Sequence, residues 1–143
     1  IMTSYSGSCF CGAVGLEVQG KADVEAICHC QICRDWSASP VNAAALWKPE
    51  NVNVIKGKEH LSSYAAVAGH EKTWCNLCGG HLLTDHRDSF GVIDVYACIL
   101  DDYEINPTFH INYESTVLPI KDGLPKFKDF PAALGGSDEL MDE

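Results

Sequence analysis

Apolar residues come in short runs along this chain, and eight of the runs have the length and composition of strands. "AVGLEVQG", "VEAIC", "VNAAALW", "VNVIKG", "KTWC", "HLLTD", "GVIDVYACIL" and "TFHINY" are mostly β-branched or aromatic, and several alternate apolar with polar positions. Gly, Pro, Asn and Asp stand between them, where turns are needed. Only Gln31 to Trp36 and Pro131 to Leu134 look helical, and neither is long enough to make a helical layer. The pattern predicts an all-β protein. A length of 143 residues suits one domain, placed at residues 2–134. The stretch 135–143, "GGSDELMDE", is small and acidic and reads as a mobile tail. Met2 reads as the natural initiator and Ile1 as a vector remnant.

Composition narrows the classes of function. Apolar residues make up 46% and charged residues 21%, the balance of a globular protein rather than a disordered one. Twenty acidic against ten basic side chains give a formal charge of −10, which argues against nucleic acid as a partner, because phosphate neutralisation needs clustered Lys and Arg. No apolar run approaches the roughly 18 residues of a membrane span, and no signal peptide is legible, so a cytoplasmic location is expected with no membrane partner. Eight cysteines in such a setting point to metal or thiol chemistry rather than disulfides.

The cysteines form "CFC" at Cys9 and Cys11, "CHCQIC" at Cys28, Cys30 and Cys33, "CNLC" at Cys75 and Cys78, and Cys98 alone. In extended backbone the C-x-C spacing turns both thiols to one face, and C-x-x-C folds back on itself, so each is a workable half of a zinc site. Cys98 lies in an apolar stretch and reads as a buried small hydrophobe, which leaves seven thiols, four plus three. Four thiolates close a structural zinc; three leave a coordination position open to water or substrate. Spacing alone does not choose the pairing. Cys30 and Cys33 with Cys75 and Cys78 would make a zinc ribbon, whereas Cys9 and Cys11 with Cys75 and Cys78 would leave Cys28, Cys30 and Cys33 as the set of three.

Five stretches, "GSCFCGAV", "CHCQICRDWSASPVNAAALW", "KTWCNLCGGHL", "DVYACILDD" and "HINYESTVLPIKDGLPKFKDFP", occur in the order found in the glutathione-dependent formaldehyde-activating enzymes, a family that shares its domain with centromere protein V. The sequence resembles that family over nearly its whole length. The resemblance implies a β-tent fold of small antiparallel sheets around a structural zinc at Cys9, Cys11, Cys75 and Cys78. It also implies a second, catalytic zinc at Cys28, Cys30 and Cys33. The implied activity is that of a carbon–sulfur lyase acting on adducts of a small thiol, such as glutathione, with an aldehyde; the family's name reaction joins formaldehyde to glutathione to give S-hydroxymethylglutathione. Three thiolates around one zinc leave a net charge of about −1, which makes that metal exchangeable and, without it, leaves the thiols open to oxidation. A non-catalytic module that binds zinc or thiols or senses oxidants is the alternative, and homo-oligomerisation is left open.

Other residues weigh less. Arg34, Lys48, Lys72 and Arg87 are the basic side chains available to hold the carboxylates of glutathione, although lone surface charges rarely have such a role. His29 lies between two proposed ligands and points to the opposite face, where it packs or supports them. His81, His86 and His110 are not first choices for proton transfer. Trp36, Trp47, Trp74 and Tyr64 read as core, and Gly79 and Gly80 as a metal knuckle that needs positive φ.

Overall fold

The structure is a computed structural model that describes residues 2–143; Ile1, with the reading placed on it, lies outside them. In sequence order the elements are β1 (Ser4–Ser8), β2 (Gly15–Gln19), β3 (Val24–Cys28), α1 (Gln31–Ser37), β4 (Asn42–Trp47), β5 (Val52–Lys56), β6 (Leu61–Tyr64) and β7 (Glu71–Cys75). They continue with β8 (His81–His86), β9 (Val92–Val95), β10 (His110–Ile111), β11 (Lys126–Phe127) and β12 (Leu140–Met141). The all-β expectation is met, and the eight strand-like runs of the sequence supply β2, β3, β4, β5, β7, β8, β9 and β10. No helix among the described residues is long and apolar enough to cross a membrane.

The protein divides into two compact units, one from Ile1–Val24 and Ala45–Ile105, the other from Glu25–Ala44 and Asn106–Glu143. In the first, β2 pairs antiparallel with β1 on one side and β5 on the other. Strict alternation turns Leu16 and Val18 of β2 fully inward. A second antiparallel run pairs β6 with β7, β7 with β8, β8 with β9, and β9 with the end of β4. Val14, Leu16, Val18, Trp47, Leu82 and Val95 form the centre of its core. The Trp47 indole N–H donates to the Gly20 carbonyl at 3.1 Å, so the ring is buried without losing its hydrogen bond.

Cys98 departs from its expected place. Strand β9 stops at Val95, and residues Ala97–Ile99 form a 3-10 turn in which Ala97 is buried and Cys98 faces solvent. A turn of three residues per revolution takes the inward position away from the residue that an unbroken strand would have buried.

The second unit pairs in a different way. β10 lies parallel to β3, with Ile27 opposite His110 and Cys28 opposite Ile111, and parallel to β11, while β11 and β12 are antiparallel. The implied antiparallel sheets are thus joined here by parallel pairs, since β3 and β10 run the same way with a long crossover between them. β12 lies in the 135–143 stretch read as a tail, with Leu140 opposite Phe127. Helix α1 starts at Cys30, whose sulfur accepts the Cys33 N–H at 3.2 Å, and ends at Ala38, which takes a left-handed φ of 53°. The apolar core of this unit is small, centred on Ala26, Cys28 and Ile111. Fully buried His29, His110 and Lys126 take the place of larger hydrophobes.

Candidate functional site

Each unit carries one cluster of thiols. In the first, the sulfurs of Cys9, Cys11, Cys75 and Cys78 all lie within 4.8 Å of one another. They come from two knuckles. Around Cys9 the Val14 carbonyl accepts from the Cys9 N–H at 2.9 Å and the Cys9 carbonyl from the Gly12 N–H at 3.0 Å, so "CFC" is a turn rather than the extended segment expected. Around Cys75 the Gly79 N–H donates to the Cys75 carbonyl at 2.8 Å, and the Cys75 N–H to the Gly80 carbonyl at 3.0 Å. Gly79 has the predicted positive φ, 75°. Gly80 does not, and is small for another reason: a Cβ there would sit 3.3 Å from the Cys78 sulfur and 3.2 Å from the Phe10 nitrogen.

The second cluster joins Cys28, Cys30 and Cys33, also within 4.8 Å, and no fourth His, Cys, Asp or Glu joins it among the described residues. Cys28 ends β3, Cys30 caps α1 and Cys33 lies in its first turn. The grouping is the second of the two that spacing left open. The zinc-ribbon grouping, with Cys30 and Cys33 beside Cys75 and Cys78, does not occur.

Sulfur separations test whether a metal fits. Tetrahedral zinc with Zn–S bonds of about 2.3 Å sets its sulfurs about 3.8 Å apart. The observed separations are 3.7 Å for Cys9 and Cys11, 3.9 Å for Cys11 and Cys75, and 3.9 Å for Cys28 and Cys33. These spacings match zinc–thiolate geometry and are far beyond the roughly 2.05 Å of a disulfide.

The thiols also conflict with one another in charge. Cys78 is drawn down to about 6, first by the Gly80 N–H. Burial works to raise Cys9, but the Val14 N–H with the Cys75 and Cys11 thiols holds it below the ordinary value. Cys11 is driven up to about 11; the Ala13 N–H opposes that rise, while burial and its three thiol neighbours produce it. In the other cluster Cys28 is pushed up to about 11, chiefly by Cys30, and Cys33 is pushed further up by Cys28 and Cys30. Several adjacent thiols cannot all ionise unless a cation offsets their charge, which is the electrostatic character of a metal site.

Around Cys28 the structure adds groups that the sequence did not reveal. Asn112, held at a left-handed φ of 53°, directs its side-chain amide toward the Cys28 sulfur at 3.5 Å. Behind the cluster, His29 Nδ1 meets Thr116 Oγ1 at 2.8 Å and His29 Nε2 meets His110 Nδ1 at 2.8 Å. His110 Nε2 then meets Asp122 Oδ2 at 2.8 Å. Lys126 Nζ closes the far end on Asp122 at 2.5 Å and Glu143 at 3.2 Å. Burial pushes His29 down to about 4, aided by the charges of His110, Lys126 and Arg34, so its ring is neutral near pH 7. The only sequence signal for Asp122 was the turn dipeptide Asp122-Gly123.

The other candidates fall in varied places. Arg34 belongs to the same unit as the three thiols, where its Nε donates to the His29 carbonyl at 3.3 Å. Lys72 is buried in the first unit and donates to Thr84 at 3.2 Å, and Arg87 is held by Asp85 at 2.9 Å. Lys48 is exposed. His86 pairs with His70, Nδ1 to Nδ1, at 2.7 Å, and His81 packs against Tyr96. Trp47 is core, whereas Tyr64 is 63% exposed.

A sheet-rich fold with a four-thiol and a three-thiol cluster, each of which could hold a metal ion, defines the class. Comparison with known sequences identifies the group: residues 4–115 match the model of the glutathione-dependent formaldehyde-activating enzyme family, and the chain belongs to that family. A protein of Schizosaccharomyces pombe, described as an uncharacterized lyase, is 31% identical over 78 residues, covering 54% of this chain and 55% of that protein. The alignment thus spans about half the length of that relative. A crystal structure of a Rhodobacter sphaeroides protein, a structural genomics target, superposes with a TM-score of 0.58 at 25% identity, covering 69% of this chain and 90% of that one.

Proposed function

We propose that the protein is a zinc-dependent carbon–sulfur lyase that acts on adducts of glutathione or a similar small thiol with an aldehyde, at a zinc held by Cys28, Cys30 and Cys33. The observation that carries this reading is the three-thiol cluster itself, whose spacing suits a tetrahedral metal with three protein ligands. Membership of the family supports the substrate class. Cys9, Cys11, Cys75 and Cys78 supply all four ligands of a closed, structural zinc.

When bound, the three-thiolate zinc supplies an open coordination position that lowers the pKa of a substrate thiol or polarises an aldehyde oxygen. The reaction involves no net oxidation or reduction: the sulfur lone pair forms the carbon–sulfur bond as the carbonyl π bond breaks onto oxygen, and the thiol proton passes to that oxygen. Cleavage is the reverse. The protein's own groups prepare the site. Cys33 N–H donates to the Cys30 sulfur and the Asn112 amide to the Cys28 sulfur, which disperses the charge of the thiolates. Arg34, on the helix that carries Cys33, supplies the cation nearest in sequence to the cluster for a carboxylate of the thiol.

The test is exchange between formaldehyde and glutathione followed by NMR, with zinc-loaded protein against the spontaneous rate. Cys30→Ala is expected to keep the metal of the four-thiol site and to lose the rate enhancement. An enhancement unchanged in that variant sinks the assignment. Zinc uptake at the three thiols with no enhancement in the unaltered protein assigns the site to metal or thiol sensing.

A further inference from the structure

We propose that the buried series Thr116, His29, His110 and Asp122 is a positioning strut for the three-thiol site, setting the direction in which Cys28 and Cys30 present their sulfurs to a metal. This rests on the reading above that the three thiols hold one.

The argument begins with alternation. Residues 28 to 30 run extended from the end of β3 to the cap of α1, so Cys28 and Cys30 face one side and His29 the other. Whatever fixes the His29 ring therefore fixes both ligands flanking it. The ring is fully buried, and both its nitrogens are engaged. The backbone N–H of His29 donates to the Ile111 carbonyl at 3.1 Å, which ties the main chain at the same point.

The series is a continuous run of hydrogen bonds. The Asp122 carboxylate only accepts, so His110 Nε2 carries a hydrogen and donates to it. His110 Nδ1 and His29 Nε2 share the next bond, and His29 Nδ1 and Thr116 Oγ1 the one after it, each at 2.8 Å. Thr116 Oγ1 also accepts the Leu118 N–H at 3.2 Å. The run is unbroken from Leu118 to Asp122. Both ends are anchored: Asp122 Oδ1 accepts from the Leu124 N–H and from Lys126, and His110 stands in register with Ile27 on β3 and Lys126 on β11.

A packed hydrophobe would fill the same volume without specifying an orientation. Directional bonds specify one, at the cost that each member must stay satisfied. In metal sites, groups that orient the ligands from behind typically contribute a factor of about 10–100 in affinity. Within this series Thr116 and Asp122 act through His29.

Cobalt(II) titration reads the strut directly, because sulfur-to-cobalt absorption reports thiolate coordination and chelator competition gives the affinity of each equivalent. The unaltered protein is expected to bind two equivalents. Thr116→Val removes the hydroxyl hydrogen at nearly constant shape and is expected to weaken the second equivalent by about 10- to 100-fold. Thr116→Ser is expected to restore it to within a few-fold of the original, and the first equivalent is unchanged in both. Far- and near-ultraviolet circular dichroism matching that of the unaltered protein shows that each variant is folded. Equal affinity for the second equivalent in Thr116→Val overturns the strut, and so does a Thr116→Ser protein as weak as the valine variant. A single equivalent in the unaltered protein overturns the zinc reading itself, before any variant is made.

Discussion

A glycine can be required by its backbone angle or by a neighbour that leaves no room for a Cβ, and this protein separates the two cases. Gly91 has a φ of 72° with open space around it. Gly7 has an ordinary φ, but a Cβ there would meet the Ile99 carbonyl oxygen at 1.8 Å, because β1 bridges to Leu100 at that point. Gly91→Ala is expected to lose about 1–2 kcal/mol, the cost of a left-handed L-residue. Gly7→Ala must move backbone against backbone and is expected to lose about 3 kcal/mol, the upper end of overpacking. Urea unfolding of the two variants measures the difference, and an equal loss would remove the distinction. Neither requirement can be read from a glycine in isolation, since "SYSGS" gives no hint of what lies opposite.

At the scale of elements, legibility followed side-chain pattern and failed where backbone pairing alone makes the strand. β2 was readable because Leu16 and Val18 alternate with polar neighbours, and β9 because "VIDV" is apolar and β-branched. β1 and β6 are "SYSGS" and "LSSY", with too little apolar surface to show a period, while β11 and β12 are two residues each. The thiol clusters were partly legible: the half-sites could be seen, their grouping could not, because Cys11 and Cys75 meet only through the fold. The strut was invisible for the same reason, as His29 and His110 are lone histidines on separate runs until β3 and β10 pair. The two knuckles of the first unit meet at Cys75, fully buried in the apolar core. Cys75→Ala with its metal lost is therefore expected to unfold that unit, since structural zinc is folding free energy. Circular dichroism before and after chelation checks this, and a native spectrum retained by the metal-free variant would contradict it.

For the molecule as a whole, acid acts through the second unit. Burial works to raise the Asp122 carboxyl, but Lys126 and His110 hold it well below the usual carboxylate range, with the Leu124 N–H adding to them. Glu143, which also faces Lys126, is lowered by the Gly123 N–H and then by Lys126. A carboxylate whose folded value lies below its unfolded value of about 4 stabilises the fold fully above that pH and loses the contribution as pH falls toward the folded value. Stability is expected to be flat in these groups near neutrality and to fall below about pH 4, with a shallower fall in Asp122→Asn. Urea unfolding followed by circular dichroism at a series of pH values measures it, and an equally steep fall in Asp122→Asn would exclude Asp122 as the cause.

The parallel pairing of β3 with β10 also sets an order of events in synthesis and folding. Cys28, Cys30 and Cys33 leave the ribosome first, and His110, Asn112, Thr116 and Asp122 follow only after the whole of residues 45–105. Contacts so distant in sequence close slowly. For that interval the three thiols stand without the residues that pair with their strand and bond to His29 and Cys28.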